Sequence, residues 1–451
     1  MTDATSAIPV PHRPAKTSLL TVTDHVRRRN RAENRLKYYG LAAITVSLLT
    51  LAIMLWTIFS DGIQSFFQAS FTFPVELSAD VLDKSGNRDR AEMMKVTTIG
   101  YATLIDRQFV AAVKASGVDT QGLSDKQIAA LISREAPGNV RAQVLDNPAL
   151  VGTTTEFKVL ATGRVDGFLK GRVTEASVVN DSNINPAQIR LARQLDEAGL
   201  LTSGFNWDFI TSPDASDQRP EAAGMGVAII GSAYMMLMVL VFTLPVGVAA
   251  SIYLEEFAPK NRITDLIEVN ISNLAAVPSI VFGILGLAIF INFMGLPQSS
   301  TLVGALVISL MTLPTIIIAT RASIRAVPPS IRDAALGIGA SKMQTVFHHV
   351  LPLAMPGILT GTILGLASAL GETAPLLLIG MVAFVDNYPS MPVEGFLDPA
   401  TALPVQVYGW AQRADPAFIE RSSGAIIVLL IFLVLMNAVA IILRRRFERR
   451  W

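Results

Sequence analysis

The sequence predicts an all-α membrane protein of six transmembrane helices, with a soluble α+β insertion between the first helix and the second. Three observations carry this. Apolar residues make up 51% of the 451 residues and charged residues only 16%. Several charge-free windows reach the roughly 20 apolar residues that a bilayer crossing needs. One long polar stretch, Asp61 to Ala223, interrupts them with 21 acidic and 16 basic residues, its apolar positions spaced as in a folded domain.

The chain therefore divides into a basic segment 1–38, a first span 39–60, an insertion 61–223, a five-helix core 224–443 and a basic tail 444–451. The second span lies within the charge-free stretch Gly224 to Leu254. The third and fourth share the charge-free run Val269 to Thr320, broken by the turn-like Gly295-Leu296-Pro297-Gln298-Ser299-Ser300. The fifth is expected to begin after Pro352 and end near Phe384, and the sixth to run from Gly424 to Leu443. The first span is too long, and its basic leader too extended, for a cleaved signal peptide, so it reads as an uncleaved anchor.

Basic residues orient the spans. The first 38 residues hold eight Lys/Arg against three acids, and the tail holds five Arg against Glu448. Six spans put both ends on one side, which is then the cytoplasmic one. The loop holding Arg321, Arg325, Arg332 and Lys342 falls there too, while Val385 to Ser423, with two Arg and five acids, falls outside. The Arg runs also suit contact with anionic membrane lipid.

Other chemistries are excluded. With no cysteine there is no disulfide, thiolate metal site or cysteine nucleophile. No residues show metal-ligand or catalytic spacing, and no cofactor is implied. His348 and His349 are adjacent, so on a helix they point about 100° apart and do not share a metal. A net charge of +1 gives no nucleic-acid signal, and no soluble DNA-binding module is present. Within the insertion, 123–135 and 186–200 read as helices, and Phe157–Leu160 and Arg172–Thr174 as short strands. The insertion serves either as a spacer and scaffold or as a docking surface for an external solute-binding protein.

The segment Asp333-Ala334-Ala335-Leu336-Gly337-Ile338-Gly339, continuing to Leu351-Pro352, is the most informative. It sits in a basic loop (about 325–352) and reads as an amphipathic helix, with Gly339 four residues after an Ala-Ala pair and Leu-Pro as its close. It resembles the cytoplasmic coupling loop of importer-type ATP-binding-cassette permeases, which docks into a separate ATPase. No Gly-x-x-x-x-Gly-Lys-Ser/Thr occurs, and Gly337–Lys342 lacks its spacing, so the chain is not itself an ATPase.

From Phe205 onward further segments line up in order: Trp207–Pro213, Asn273–Gly283, Thr312–Pro314, Ala326–Pro328, Gly371–Pro375 and Leu403–Ala411. Together they resemble the A subunit of phosphate-specific transport (Pst) permeases, over Phe205 to about Arg444 plus the first span; roughly 75–203 lies outside the likeness. The resemblance implies a type I ABC-importer permease fold and one permease subunit of a phosphate importer in the bacterial inner membrane. It implies a second permease subunit of the C type, two ATPase copies and a periplasmic phosphate-binding protein as partners, and leaves open a phosphate-signalling regulator. Asp333 stands where such loops carry Glu, and Ser368 where an Arg often precedes the span-five acid. A permease for sulfate or molybdate, and a membrane sensor using the insertion as receptor, remain as alternatives.

For coupling, the residues expected to act are Asp333, Ala334, Ala335, Gly339, Leu351 and Pro352. For the pathway they are Glu372, Thr373, Ser279, Thr312 and Thr315. Glu372 is the acid read as lying well inside a span, where an ionisable group costs roughly 2.5–3.5 kcal/mol and is by default functional. Prolines 245, 278, 314 and 375 punctuate the four central spans, as packing kinks or as breaks that expose backbone amides to an anion. Gly357, Gly361, Gly365 and Ala369 place a small residue at every fourth position of span five, which permits close helix contact.

Overall fold

The computed structural model describes residues 24–83, 85–179, 181–381, 384–389 and 394–447. Residues 1–23 of the basic leader and 448–451 of the tail lie outside the described residues. The chain forms two compact units, one up to Thr57 and one from Ile58 onward. Among the described residues five helices are long and apolar enough to cross a membrane, and there are six if one bent pair is counted as a single span. Span one is the helix Asp24–Gly62, span two Gly226–Ile252, span four Thr301–Arg325, span five Lys342–Leu370 and span six Pro416–Phe447.

Two spans differ from expectation. Span three is not a straight crossing: Arg262–Leu274 and Ser279–Phe293 meet at 102°. Pro278 causes the break, because its ring disfavours helical geometry at Val277. Pro278 itself is extended (φ −56°, ψ 136°) and starts the second half. The first half begins at Asn261, whose Oδ1 accepts from the Ile263 and Thr264 amides at 3.0 and 2.9 Å. Span five starts ten residues before Pro352, so Leu351-Pro352 lies inside a helix and does not close the coupling segment. A π turn, Val346–Val350, precedes the proline and absorbs its missing N–H by widening the helix. The same helix ends at Leu370, well short of Phe384, and Gly371–Thr373 separates it from the short helix Ala374–Leu378.

Small residues set the packing of the spans. Any Cβ on Gly361 would run into the Ala319 methyl; one on Gly357 would lie 2.9 Å from Ser323 Cβ, and one on Gly365 3.2 Å from Thr312 Cγ2. The small-residue stripe of span five thus seats span four of the same chain. Gly247 does likewise for span two, 2.8 Å from Ile316 Cγ2.

Between spans one and two, three antiparallel strands lie in the order β2-β1-β3: β1 Phe67–Glu76, β2 Thr154–Leu160 and β3 Leu201–Phe205. The chain enters on β1 and leaves on its neighbour β3, with Phe67 opposite Phe205. Ala69, Phe71, Phe73 and Val75 alternate onto one face and are buried, Phe71 and Phe73 against Phe109 of the helix Thr98–Ala115. Pro74 is tolerated in this central strand because the Thr72 amide, of the same parity, is the last to face the β3 side, donating to Leu200 O at 3.1 Å. The Phe157–Leu160 strand and the Pro186–Glu197 helix agree with the sequence reading. Arg172–Thr174 is not a strand: the Arg172 and Val173 amides both wrap back onto Gly167 O after Gly171 (φ +74°) ends a helix. Within 123–135 only Asp125–Ala129 is helical.

Candidate coupling surface and pathway

The coupling segment forms the helix Pro329–Gly337. Arg332 pins it: its guanidinium donates to Ile324 O (2.9 Å) and Val327 O (2.7 Å), carbonyls where span four ends, and to Glu256 Oε1 (2.7 Å) beyond span two. Beside it Glu255 pairs with Arg325 (2.6 Å) and Arg321 (3.3 Å), and Arg321 with Glu268 (2.5 Å). Charges thereby tie spans two and four, the first half of span three and the coupling helix into one frame. Underneath, Ile331 packs on Ile324, Val327, Val346 and Val350.

Ala335 is buried in that frame, while Asp333, Ala334 and Gly339 are exposed. Leu336 and Ile338 present apolar surface, Ile338 at 83% exposure. Gly339 has φ +93° and open space around any added Cβ, so its handedness, not crowding, demands glycine. The next helix starts at Ser341 in a capping box with Gln344, and the Lys342 ammonium lies 5.2 Å from the Phe257 ring centroid. Gly337–Lys342 is therefore a helix stop and a helix start, with no phosphate-loop geometry. Leu351 and Pro352 are half-buried.

The expected pathway residues do not share one environment. Ser279 and Thr373 are half-buried, each at the start of a short helix. Gly283 abuts Pro375 and Gly286 approaches Ile379, so these two helices run side by side in the same direction. Their first turns, with Ser279 on one and Glu372-Thr373 before the other, stand at the same end. Glu372 occupies the break after span five, half-buried, and among the described residues no hydrogen bond or ion pair reaches its carboxylate. Thr312 is buried and spends its hydroxyl on Ile308 O at 2.7 Å, and Thr315 is exposed. Arg321 is engaged by Glu255 and Glu268 rather than by Glu372.

A second charged cluster was not foreseen. Lys170 bridges Asp166 (2.7 Å) and Glu420 (2.8 Å), and Arg172 reaches the same acids at 3.4 and 2.5 Å. Arg421, 4% exposed, donates to Gln68 Oε1, Glu221 O and Ala223 O. Glu221 is buried as well; its carboxylate accepts from Ser133 Oγ and the Gly163 amide, and burial raises its pKa against those contacts and the Arg421 charge. The insertion is thus wired to the first turns of span six. The available signal was Glu420-Arg421 directly ahead of an apolar run.

Two family models match. One, described as a domain of unknown function (DUF3333), covers residues 23–178. The other, binding-protein-dependent transport system inner membrane component, covers residues 244–451, from the last third of span two through span six and including the helix Pro329–Gly337. The fold and this match define the class: a multi-pass membrane permease that is a component of a transport system rather than an enzyme. The phosphate transport system permease protein PstA 1 of Mycobacterium tuberculosis (strain CDC 1551 / Oshkosh) is 31% identical over 229 residues, 51% of this chain and 73% of that protein. The chain belongs to the PstA family of phosphate transport system permeases. It is also 35% identical over 178 residues to the probable ABC transporter permease protein YqgI of Bacillus subtilis (strain 168), spanning 39% of this chain and 58% of that relative. A chain of the inward-facing MetNI methionine ABC transporter aligns with 50% of this chain and 95% of its own, at 15% identity and a TM-score of 0.37.

Proposed function

We propose that this chain is one permease subunit of an ATP-driven importer of inorganic phosphate. It forms half of the translocation pathway with a second permease subunit of the C type, and two copies of a cytoplasmic ATPase dock on the coupling segment 325–352. An external phosphate-binding protein delivers the substrate. Both termini and the coupling helix lie on the cytoplasmic side, and the 61–223 insertion lies outside.

The observation that carries the coupling reading is the way Pro329–Gly339 is held. Arg332 and Ile331 fasten one face to spans two, four and five, and Leu336, Ile338 and Gly339 are left presented. A load on that face moves three spans together, because Glu255 and Glu256 link the same ends. Alternating access then consists of ATPase closure pulling this frame and hydrolysis releasing it.

Glu372, Thr373 and Ser279 serve the pathway, Glu372 by accepting a proton-bearing phosphate oxygen or by bracing a neighbouring helix. Thr312, its hydroxyl spent on Ile308 O, serves packing, while Thr315, exposed on span four, stays with the pathway. The experiment is uptake of labelled phosphate at low concentration in cells lacking the gene, with sulfate run beside it. Selective loss of phosphate uptake, restored by the gene but not alongside an ATPase-dead partner, is the expected result. Loss of sulfate uptake alone overturns the substrate and keeps the architecture.

A further inference from the structure

An exposed aromatic group stands at the base of the insertion. Phe67 and Phe205 face each other at the end of the β1–β3 pair, rings 6.1 Å apart, and Trp207 packs on Phe205 at 4.8 Å. Their exposures are 45%, 45% and 68%, and Ile63 beside them is 50% exposed. The group is rigid: Phe66 stacks on Phe205 at 6.4 Å and meets Phe209 edge-on at 5.3 Å, and Phe209 belongs to a buried cluster with Trp410 and Phe418. Among the described residues nothing accepts a hydrogen bond from the Trp207 indole N–H. Rigid, apolar and unpaired, the patch does not serve the insertion's own core.

Its level relative to span six is fixed twice. Gly62 ends the first apolar helix, and a Cβ there would lie 2.7 Å from the Ser423 carbonyl. Ser423 immediately precedes the apolar run of span six, and Gly424 in turn approaches Ser65 Cβ at 2.7 Å. The apolar run of span six thus begins level with Gly62 and Ser65, and Ile63, Phe67, Phe205 and Trp207 lie within a few residues of that level. Amphipathic rings at that height match the interfacial belt in which Trp and its neighbours seat their apolar bodies at headgroup level.

We infer that Ile63, Phe67, Phe205 and Trp207 form a membrane-interface anchor that rests the base of the insertion on the phospholipid headgroup layer of its own leaflet. This rests on the membrane reading of the spans and not on the identity of the solute. The anchor fixes the insertion's height and tilt at its foot, leaving the far end of the sheet, about 30 Å away along β1, in water.

The chain has no cysteine, so single labels are unique on it. Nitroxides are attached at Trp207→Cys and, separately, at Phe205→Cys in the assembled transporter, in phosphatidylethanolamine–phosphatidylglycerol nanodiscs. Thr154→Cys, paired with Glu76 at the far end of the sheet, and Val434→Cys in span six serve as aqueous and lipid references. Collision with oxygen exceeding collision with a water-soluble nickel chelate at 205 and 207, as at 434 and opposite to 154, is the expected result. Labels that read as water while 434 reads as lipid overturn the anchor and leave the permease reading intact. Labels shielded from both reagents overturn it in favour of a covering protein subunit.

Discussion

Lys170→Met tests whether the insertion is wired to the permease core. Lys170 is 9% exposed and Asp166 and Glu420 are each 6% exposed, so all three charges sit away from water. Two acids meet two bases in direct ion pairs, Arg172 being the second base, and the adjacent Arg421 and Glu221 add one charge of each sign, so the cluster is balanced. Removing Lys170 leaves Asp166 and Glu420 with Arg172 as their one direct ion-pair partner and one negative charge in excess, and stripping one partner from a buried pair costs about 3–5 kcal/mol. Adding Glu420→Gln restores the balance, leaving Asp166 with Arg172. The double variant should therefore lose about 2–3 kcal/mol less than the sum of the two single losses. The assay is thermal unfolding of the purified transporter, read at the insertion by protease protection. A unit of this size shifts by about 2–4 °C per kcal/mol. If Lys170→Met melts like the parent, or if the losses simply add, the insertion is not held through this cluster. The same reasoning bears on removing the insertion at the paired residues Ser70 and Thr202. That deletion strips both cations from Glu420, so Glu420→Gln has to accompany it.

Three further outcomes are expected. Gly361→Val drives a side chain into Ala319 and should destabilise the span four–span five contact by about 1–3 kcal/mol, seen as lower melting and reduced membrane abundance. Gly339→Arg puts a bulky side chain on a φ of +93° at the centre of the presented surface; it should abolish uptake at normal abundance, and normal uptake would sink the coupling reading. Burial raises the pKa of Glu221 above its ordinary 4.5, so the folded state favours the protonated acid. Its contribution is full below the ordinary value and is lost as pH rises through the folded value. Glu221→Gln should remove that loss, so its melting temperature gains on the parent's as pH rises above 4.5; parallel curves would mean that the group does not titrate differently on folding.

Much of this protein was legible locally. A run of about 20 apolar residues is long enough to cross a membrane, so the spans and the soluble stretch followed from composition, and the helix Pro329–Gly337 of the basic loop from its own few residues. The repeat of Gly357, Gly361 and Gly365 announced a close contact, though not that its other side is Ala319 and Ser323 of the same chain. Even Pro278 and Pro352 were visible, yet alike in sequence. One begins a half-span at 102° to the preceding helix and the other is absorbed by a π turn, because the outcome depends on what packs alongside.

What only the tertiary structure decided is which distant groups meet. β1 carries Phe71 and Phe73 on alternate positions, but its strand state depends on β2 and β3, some 80 and 130 residues onward. Glu372 stood out because it was expected to be alone in an apolar segment. Glu420 and Arg421 did not, although both are nearly fully buried among charges from the insertion. A charge at the margin of a span reads as solvated until a partner far away in sequence closes over it. Periodicity and hydropathy are properties of neighbours along the chain, whereas ion pairing and strand register are properties of neighbours in space; the first determined the architecture, and the second decided how its parts are joined.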